Sequence, residues 1–349
     1  MFDHPSYDAH EGVHLFQDET SGLKTIIAIH STARGPAAGG CRMWNYESGE
    51  AMLTDALRLS QGMSYKNAMA DIPLGGGKAV IWGDSRRDKS PDLFRAFGRA
   101  VESLQGKYVT AEDVGVSVGD MEIVRAETAH VAGLSHGEAA SGDPSPVTAH
   151  GVYLGILETA KRAFGTDSLH GRTVAVQGVG SVGGYVCDHL AAAGAHLVIT
   201  DIDQAALEAV AKRTGAAVVA PNDIYDAEAD IFSPCALGAV VNEKTLDRFR
   251  VKAIAGGANN QLVVPEMGEF LRRKGILYAP DYVINGGGII NVAAEISGTY
   301  SRDWVDGKLA KLVETLGAVL DEALSTNTPT NAVADRIARQ RIADARAAR

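Results

Sequence analysis

The sequence predicts an α/β protein of two domains, the second built on a parallel β-sheet, and three observations support this. The chain has 349 residues, which is more than one hydrophobic core usually organises. Segments with strand character alternate with segments of helical periodicity. A long stretch rich in glycine, serine and proline, SHGEAASGDPSPVTAHG (135–151), separates a mixed first part from a more regular second part. We place the domain boundary in this stretch.

The first part combines strands and helices. Three segments rich in apolar and β-branched residues predict strands: TIIAIHST (25–32), KAVIWG (78–83) and KYVTAEDVG (107–115), the last running into a loop. Residues 49–70 have apolar side chains at helical spacing and predict a helix. A second helix is predicted over 90–104, with Ser90 as its N-cap and Pro91 in its first position.

The second part predicts a helix over about 147–164 and then a repeated strand–helix pattern. Six apolar segments predict its strands: RTVAVQG, HLVIT, AAVVA, ADIFS, VKAIAGG and GILYAP. Such runs separated by helices are typical of a parallel sheet covered on both faces. The last segment, NAVADRIARQRIADARAA, is expected to be a helix that packs back on the first domain. The predicted domains are therefore residues 1–140 and 141–328, followed by this helix at 329–349.

Composition narrows the class of protein. A net charge of −10 disfavours binding to nucleic acid or to anionic membranes. The three cysteines lie far apart without a CxxC pattern, so we expect neither a metal site nor a disulfide. We find no export signal and no run of about 20 apolar residues, and we therefore expect a soluble, cytoplasmic protein.

The segment TVAVQGVGSVGGYV contains the pattern G-x-G-x-x-G. An apolar strand precedes it and a predicted helix follows it, which is the context of a dinucleotide-binding fold. Its glycines would form the turn, let a pyrophosphate approach the backbone, and let helix and strand pack closely. The helix N-terminus would favour the phosphates. The predicted cofactor contacts are Gly178, Val179, Gly180, Ser181, Val182 and Gly183. A purely structural glycine turn is the alternative.

The next predicted strand ends at Asp201, about twenty residues beyond the glycines. An acid at this position would accept hydrogen bonds from the adenosine ribose and would repel a 2′-phosphate. The sequence therefore predicts NAD rather than NADP as the cofactor. We interpret Asp203, close by, as a helix N-cap.

Three consecutive glycines, Gly75–Gly77, precede Lys78. They are not a phosphate-binding P-loop, because that motif needs a serine or threonine where this chain has Ala79. A lysine that begins a strand is usually a solvated surface residue. Here the missing side chains would leave space for a ligand, and burial near the cation Lys66 would favour a neutral amine. We interpret the glycines as the backbone surface against which a catalytic lysine lies.

Six segments in matching order resemble a known family: GPAAGGCRMW (35–44), GMSYKNAMADIPLGGGKAV (62–80), TAEDVG (110–115), SPCALGAVVN (233–242), GGANNQL (256–262) and YAPDYVINGGGIINVA (278–293). They resemble the glutamate/leucine/phenylalanine/valine dehydrogenases, above all the short leucine, valine and phenylalanine enzymes; Ser85 is a small departure. The resemblance implies reversible, NAD-dependent oxidative deamination of an L-amino acid to the 2-oxo acid and ammonia. We expect a homo-oligomer assembled through the first domain, with the ligands in a cleft between the two domains.

The resemblance also implies roles for individual residues. Lys66 would bind the substrate α-carboxylate, Lys78 would be the general acid and base, and Asp113 would exchange protons with the amino group. Asn259 would contact the substrate and the nicotinamide region, although the adjacent Asn260 leaves this assignment open by one residue. Further cofactor contacts are implied at Arg42, Ser145, Thr148, Cys235 and Ala236.

The implied substrate side-chain pocket is apolar throughout: Ala38, Gly39, Met63, Ala111, Ile289 and Val292. Such a pocket disfavours glutamate, whose carboxylate would lack a partner. The small Ala38 resembles some phenylalanine dehydrogenases. Ala111, Ile289 and Val292 instead favour an aliphatic side chain. The preferred amino acid, of leucine, valine, isoleucine or phenylalanine type, is left open.

Two other functions are compatible with the same fold. A non-catalytic NAD-sensing or scaffolding protein should have lost Lys66, Lys78 or Asp113, and all three are present. A hydroxy-acid dehydrogenase needs a histidine paired with a carboxylate, and no histidine follows a predicted strand in that way. Because the substrate and cofactor residues fall in different predicted domains, residues 135–151 and the helix after them are expected to act as a hinge.

Overall fold

The computed structural model describes residues 1–134, 143–298 and 300–349. These residues form two compact units. The first unit comprises the described parts of 1–143, 291–304 and 338–349, and the second comprises the described parts of 144–290 and 305–337.

Two sequence expectations concern the division between the units. Residues 135–142, which make up about half of the stretch 135–151 in the predicted hinge, lie outside the described residues, so the hinge stays a prediction. Residues 291–304 were expected in the nucleotide-binding domain, whereas they belong to the first compact unit. The C-terminal segment is shared, because residues 338–349 belong to the first unit and the preceding turns of the same helix to the second.

The first unit is built on one mixed sheet, with six strands in its described residues: β1 (Gly12–Asp18), β2 (Leu23–Ser31), β3 (Ala37–Ala38), β4 (Cys41–Trp44), β5 (Gly75–Trp82) and β6 (Tyr108–Val109). Strand β5 is central. It pairs antiparallel with β2 and parallel with β3 and β4, while β1 extends the sheet beyond β2 and β6 pairs with β3. The register sets Lys78 opposite Ala28 and the following Ala79 opposite Cys41.

Three helices lie wholly in the first unit: α1 (Gly49–Met69), α2 (Pro91–Glu102) and α3 (Val118–Arg125). The predicted start of α2 is confirmed, because the Ser90 Oγ accepts a hydrogen bond from the Leu93 N–H at 3.1 Å and Pro91 is the first helical residue. Phe94 and Phe97 of α2 are fully buried in the core beneath the sheet. Burying side chains of this size contributes about 1.5–3 kcal/mol each relative to leaving them exposed.

The second unit is built on a parallel sheet whose six predicted strands are confirmed: β7 (Thr173–Gln177), β8 (His196–Thr200), β9 (Ala217–Val218), β10 (Ile231–Pro234), β11 (Ala253–Ile254) and β12 (Leu277–Tyr278). Their spatial order is β12-β11-β10-β7-β8-β9, with every pair parallel. The order reverses direction at β7, as in a Rossmann fold. Ligands of such sheets bind at the carboxyl ends of the strands beside this reversal.

The helices of the second unit are α4 (Ser145–Phe164), α5 (Ser181–Ala192), α6 (Gln204–Thr214), α7 (Glu243–Leu246), α8 (Met267–Arg273) and α9 (Asp281–Ile284), with a 3₁₀ turn at Asp223–Asp226. Three further helices contain residues of both units: α10 (Gly287–Ile296), α11 (Arg302–Thr326) and α12 (Thr330–Ala347). Within the first unit, Arg341 of α12 donates to the Ala68 carbonyl at 3.0 Å. Among the described residues, no helix is both long and apolar enough to cross a membrane.

Candidate active site

The three consecutive glycines lie inside β5 and are buried. A Cβ on Gly76 would collide with the backbone nitrogen of Ser64 in α1, and one on Gly77 would come within 2.8 Å of the Tyr108 ring. A Cβ on Gly75 would collide with the Ser31 carbonyl oxygen. The expectation that these glycines leave space for a ligand is therefore wrong. They remove side chains so that α1 and the neighbouring strands can approach β5 closely.

Lys78 follows these glycines in β5, and only 6% of its surface is exposed. Its Nζ lies 2.6 Å from the Oδ2 of Asp113, which stands in the loop after β6. Burial alone would raise the pKa of the Asp113 carboxyl, but Lys78 and Arg42 reverse the effect and hold that pKa below its usual value. The fold thus brings together two of the residues to which the sequence assigned the chemistry, as a buried ion pair in which the acid is held as a carboxylate.

Arg42 of β4 also lies beside Asp113. Its Nε is 3.5 Å from the Asp113 Oδ2, and its Nη1 is 3.1 Å from the Oδ2 of Asp55 in α1. The Tyr46 hydroxyl donates to the same Asp55 oxygen at 2.6 Å. The resemblance implied Arg42 only as a cofactor contact, which stays a prediction, and neither Asp55 nor Tyr46 was expected at the site.

Lys66 lies in the last turn of α1 and is half-buried. Met63 is on the same helix, and a Cβ added to Gly39 would lie 3.0 Å from the Met63 Cγ and collide with the Gly77 carbonyl. Gly39, Met63 and β5 are therefore packed together. Ala38 is buried in β3, paired with Gly76.

The other predicted pocket residues lie on separate elements. Ala111 follows β6 and is half-buried, and a Cβ on Gly133 would lie 3.8 Å from the Ala111 Cβ. Ile289 and Val292 are both half-buried residues of α10. Their role in binding a substrate side chain stays a prediction.

The glycine-rich turn of the second unit follows β7. Gly178 has a φ of +91°, which favours glycine, and its N–H donates to the Thr200 carbonyl at 2.8 Å. A Cβ on Gly183 would collide with the Gly178 carbonyl, so this glycine permits the close packing of helix and turn. A Cβ on Gly180 would meet nothing within 4 Å. Helix α5 starts at the next residue with no side-chain cap, so open space lies at a helix N-terminus. This arrangement fits a bound pyrophosphate.

Asp201 lies just after β8 and is bound to the same turn. Its Oδ2 accepts from the Val179 N–H at 2.6 Å, and its Oδ1 accepts from the Asp203 N–H at 2.9 Å. Each carboxylate oxygen can accept more than one hydrogen bond, so these contacts are compatible with the predicted ribose contact. Asp203 caps α6 as predicted, by accepting from the Ala205 N–H at 3.0 Å.

Asn259 follows β11 and is exposed, and its Oδ1 accepts from the Nδ2 of Asn285 at 2.8 Å. The same Nδ2 also donates to the Gly257 carbonyl at 3.2 Å. Asn285 is 5% exposed and was not selected from the sequence, although it opens the NGGG run of the last resembling segment. Asn260 adopts a φ of +51°, so the twin asparagines have different local geometries.

The remaining predicted cofactor contacts lie near the amino ends of α4 and α5. Ser145 is the first residue of α4, and the Thr148 Oγ1 donates to the Pro144 carbonyl at 2.9 Å. The Cys235 N–H donates to the Gln177 carbonyl at 2.7 Å, and burial raises the pKa of its thiol. A Cβ added to Gly178 would lie 2.6 Å from the Ala236 Cβ, so Ala236 lies directly against the glycine-rich turn. In the part of the chain that the structure describes, no group of His, Cys, Asp or Glu residues is arranged to hold a metal ion.

Comparisons with known proteins cover nearly the whole chain. The family described as "Glu/Leu/Phe/Val dehydrogenase, dimerisation domain" matches residues 9–130, and "Glutamate/Leucine/Phenylalanine/Valine dehydrogenase" matches residues 197–349. The chain is 52% identical to the leucine dehydrogenase of Geobacillus stearothermophilus, over 99% of this chain and 93% of that protein. It is 46% identical to the valine dehydrogenase of Streptomyces albus, over 99% and 96% respectively. The crystal structure of L-tryptophan dehydrogenase from Nostoc punctiforme matches with a TM-score of 0.85 at 41% identity, over 97% of each chain.

Proposed function

Because the chain belongs to the glutamate/leucine/phenylalanine/valine dehydrogenase family, we propose that it catalyses the reversible, NAD-dependent oxidative deamination of an apolar L-amino acid. The products are the 2-oxo acid, ammonia and NADH. The observation that carries this proposal is the buried contact of 2.6 Å between the Lys78 Nζ and the Asp113 Oδ2. A lysine and a carboxylate held together in this way can exchange a proton with each other and with a substrate beside them.

The polar residues divide the steps of the proposed reaction between them. Lys66 fixes the substrate α-carboxylate through its positive charge. Asp113, held as a carboxylate, takes a proton from the substrate ammonium group. The Lys78 amine, once its own proton has passed to solvent, serves as general base for the water that attacks the imino carbon, and as general acid when ammonia leaves.

The cofactor would lie on the glycine-rich turn of the second unit. Its pyrophosphate would occupy the open space over Gly180 at the start of α5, where backbone N–H groups and the helix dipole favour negative charge. Asp201 and the Val179 N–H it holds would define the ribose end of the site. When bound, the nicotinamide supplies the hydride acceptor for the amino-acid Cα.

The substrate class follows from the residues predicted to surround its side chain. Ala38, Met63 and Ala111 in the first unit are apolar, so a glutamate side chain would be desolvated without a compensating ion pair. Relatives named for leucine and valine agree with an aliphatic substrate, and the relative named for tryptophan with an aromatic one. A difference of one methylene changes selectivity by only about 1–3 kcal/mol in an apolar pocket. We therefore expect overlapping activity on leucine, valine, isoleucine and phenylalanine.

The direct test is an NADH-production assay of the purified protein with each L-amino acid at alkaline pH. The Lys78→Ala protein serves as the control for contaminating activity. We expect turnover with several apolar amino acids and little with glutamate. The absence of NADH production with every apolar amino acid would overturn the proposal and would favour a non-catalytic, NAD-sensing role.

Cofactor choice is tested separately at Asp201. Replacing it with Asn or Ala removes the charge that should repel a 2′-phosphate, and we expect the NAD/NADP ratio of kcat/KM to fall roughly tenfold, or about 1.4 kcal/mol. Asn keeps an oxygen that can accept from the Val179 N–H, whereas Ala does not. Only Asp201→Ala should therefore also raise KM for both cofactors. A wild-type protein that prefers NADP would contradict this assignment.

The assembly proposal is a homo-oligomer formed through the first unit. It is supported by the family description of residues 9–130 as a dimerisation domain. Light scattering coupled to size-exclusion chromatography measures the mass directly. A particle with the mass of one 36.6 kDa chain at assay concentration would contradict it.

A further inference from the structure

Asp55 is an acidic residue in the middle of α1 for which the proposed mechanism has no role. It precedes Lys66 by about three helical turns, so both side chains point from the same face of α1. Its two carboxylate oxygens lie 3.2 and 3.1 Å from the Arg42 Nη1, and Oδ2 also accepts from the Tyr46 hydroxyl. Asp55 is therefore held firmly, with 27% of its side chain exposed.

Arg42 links Asp55 to the proposed catalytic pair. Its Nη1 contacts Asp55, while its Nε lies 3.5 Å from Asp113. The Arg42 Nε and the Asp113 Oδ2 are both buried. Charges of alternating sign thus run from Lys78 through Asp113 and Arg42 to Asp55. This row contains two cations and two anions, so its formal charges cancel.

We propose that Asp55 is a positioning residue for the deamination reaction, which holds the Arg42 guanidinium beside Asp113 and offsets part of its charge. The inference rests on the proposed function. Without Asp55, the whole charge of Arg42 would act on Asp113, and that carboxyl would lose its proton at lower pH. Asp55 would in this way set the pH range in which the pair can exchange protons.

Other groups around Asp113 do not provide this balance. Cys41 of β4 and Tyr108 of β6 stay neutral, because burial raises the pKa of each well above its ordinary value. The neighbouring Glu112 faces Asp143, and its pKa is raised by burial and by that acid. Asp113 is in direct contact with the charges of Lys78 and Arg42, so a change at Asp55 reaches Asp113 through Arg42.

The test compares the pH dependence of kcat/KM for Asp55→Asn with that for Arg42→Gln. Asp55→Asn should move the acidic limb of the profile to lower pH, by on the order of half a unit. Arg42→Gln removes the cation and should move the same limb to higher pH. Asp55→Glu keeps the charge and should restore the wild-type profile. Glu50→Gln, which removes an exposed acid from the same helix, controls for net charge and should leave the profile unchanged.

Opposite shifts in the two variants support the inference. An acidic limb in Asp55→Asn that coincides with that of Glu50→Gln would overturn it. Thermal melting shows whether Asp55→Asn folds. If it does not, the Arg42→Gln profile is the test, because an acidic limb at the wild-type pH in that variant also overturns the inference. A wild-type protein with no turnover on any amino acid would instead reject the proposed function.

Discussion

Two of the glycine clusters beside proposed ligand sites serve different physical purposes. In β5, the three glycines Gly75–Gly77 are buried, and a Cβ on any of them would run into protein atoms. In the turn after β7, a Cβ on Gly178 or Gly183 would also meet protein, but a Cβ on Gly180 would meet nothing. The first cluster brings elements of the protein together, and the second also leaves an opening.

This difference shows that a glycine run by itself does not indicate a ligand site. A missing side chain creates space, and the surrounding fold decides whether protein or ligand fills it. In β5 the space is taken by Ser64 of α1 and by Tyr108, which brings the helix of Lys66 close to the strand of Lys78. The glycines of β5 therefore serve the proposed chemistry through packing.

The largest expected effect concerns the lysine that follows the packed glycines. Lys78→Ala should lower kcat by about 10²–10⁴-fold, because it removes the general acid and base. Lys66→Ala, on the adjacent helix, should mainly raise KM for the amino acid, because it removes a binding charge. Steady-state kinetics of both variants separate the two roles. A near-normal kcat in Lys78→Ala would show that Lys78 is not the general acid and base.

A second effect concerns pH and the packing of α1 on β5. The Ser64 Oγ that lies against Gly76 is 2.7 Å from the Nδ1 of His30, which is 6% exposed. Burial, assisted by nearby His10, lowers the pKa of His30 to about 4. An unfolded histidine has a pKa of about 6.5, so between these values only the unfolded chain binds the proton. Stability should be intact above pH 6.5 and decline as the pH falls towards 4.

Urea unfolding at a fixed protein concentration measures this loss. Between about pH 7 and about pH 5 it should reach up to about 2 kcal/mol from His30 alone. The His30→Gln protein, which cannot titrate at this position, should lose less stability over the same interval. An equal loss in the two proteins would show that other groups control the acid sensitivity of the packed region.

The third prediction tests the packed cluster directly. Gly76→Ala should destabilise the protein by about 1–3 kcal/mol, because the new methyl group forces the Ser64 backbone away from β5. Gly62→Ala is the matched control, since it lies in the same helix as Ser64 with open space around its position. That change should be neutral or stabilising, as alanine favours helix. Denaturant midpoints compare the two, and equal midpoints would contradict tight packing at Gly76.

The smallest expected effect on stability is at the open position of the other cluster. Gly180→Ala should change the free energy of unfolding by no more than about 0.5 kcal/mol, since its Cβ meets no atom and its φ is −67°. KM for NAD should nevertheless rise, roughly tenfold, because the methyl group occupies the space proposed for the pyrophosphate. A variant with unchanged KM for NAD would show that the cofactor does not approach Gly180.

Much of the fold could be predicted where the local pattern is strong. The six strands of the second sheet were predicted because each is an apolar run between helices, and the Ser90 and Asp203 caps were predicted from their side chains. The short strands β3 and β4 were not predicted. They are strands because they pair with β5, and they are too short to show a strand periodicity of their own. The start of β5 was placed three residues late, because glycine has no strand propensity of its own.

For the candidate site, local sequence patterns were enough to predict the types of residue and their elements: the lysines on α1 and β5, the acid after β6, and a glycine turn at a helix N-terminus. Which of these residues meet depends on how the elements pack. The 2.6 Å contact of Lys78 with Asp113, and the position of Arg42 between Asp113 and Asp55, depend on strands β4, β5 and β6 and helix α1 packing side by side. The difference lies in sequence separation. Helical periodicity and strand patterns depend on neighbours within a few residues, whereas these ion pairs join residues that are far apart in the chain and that packing brings together.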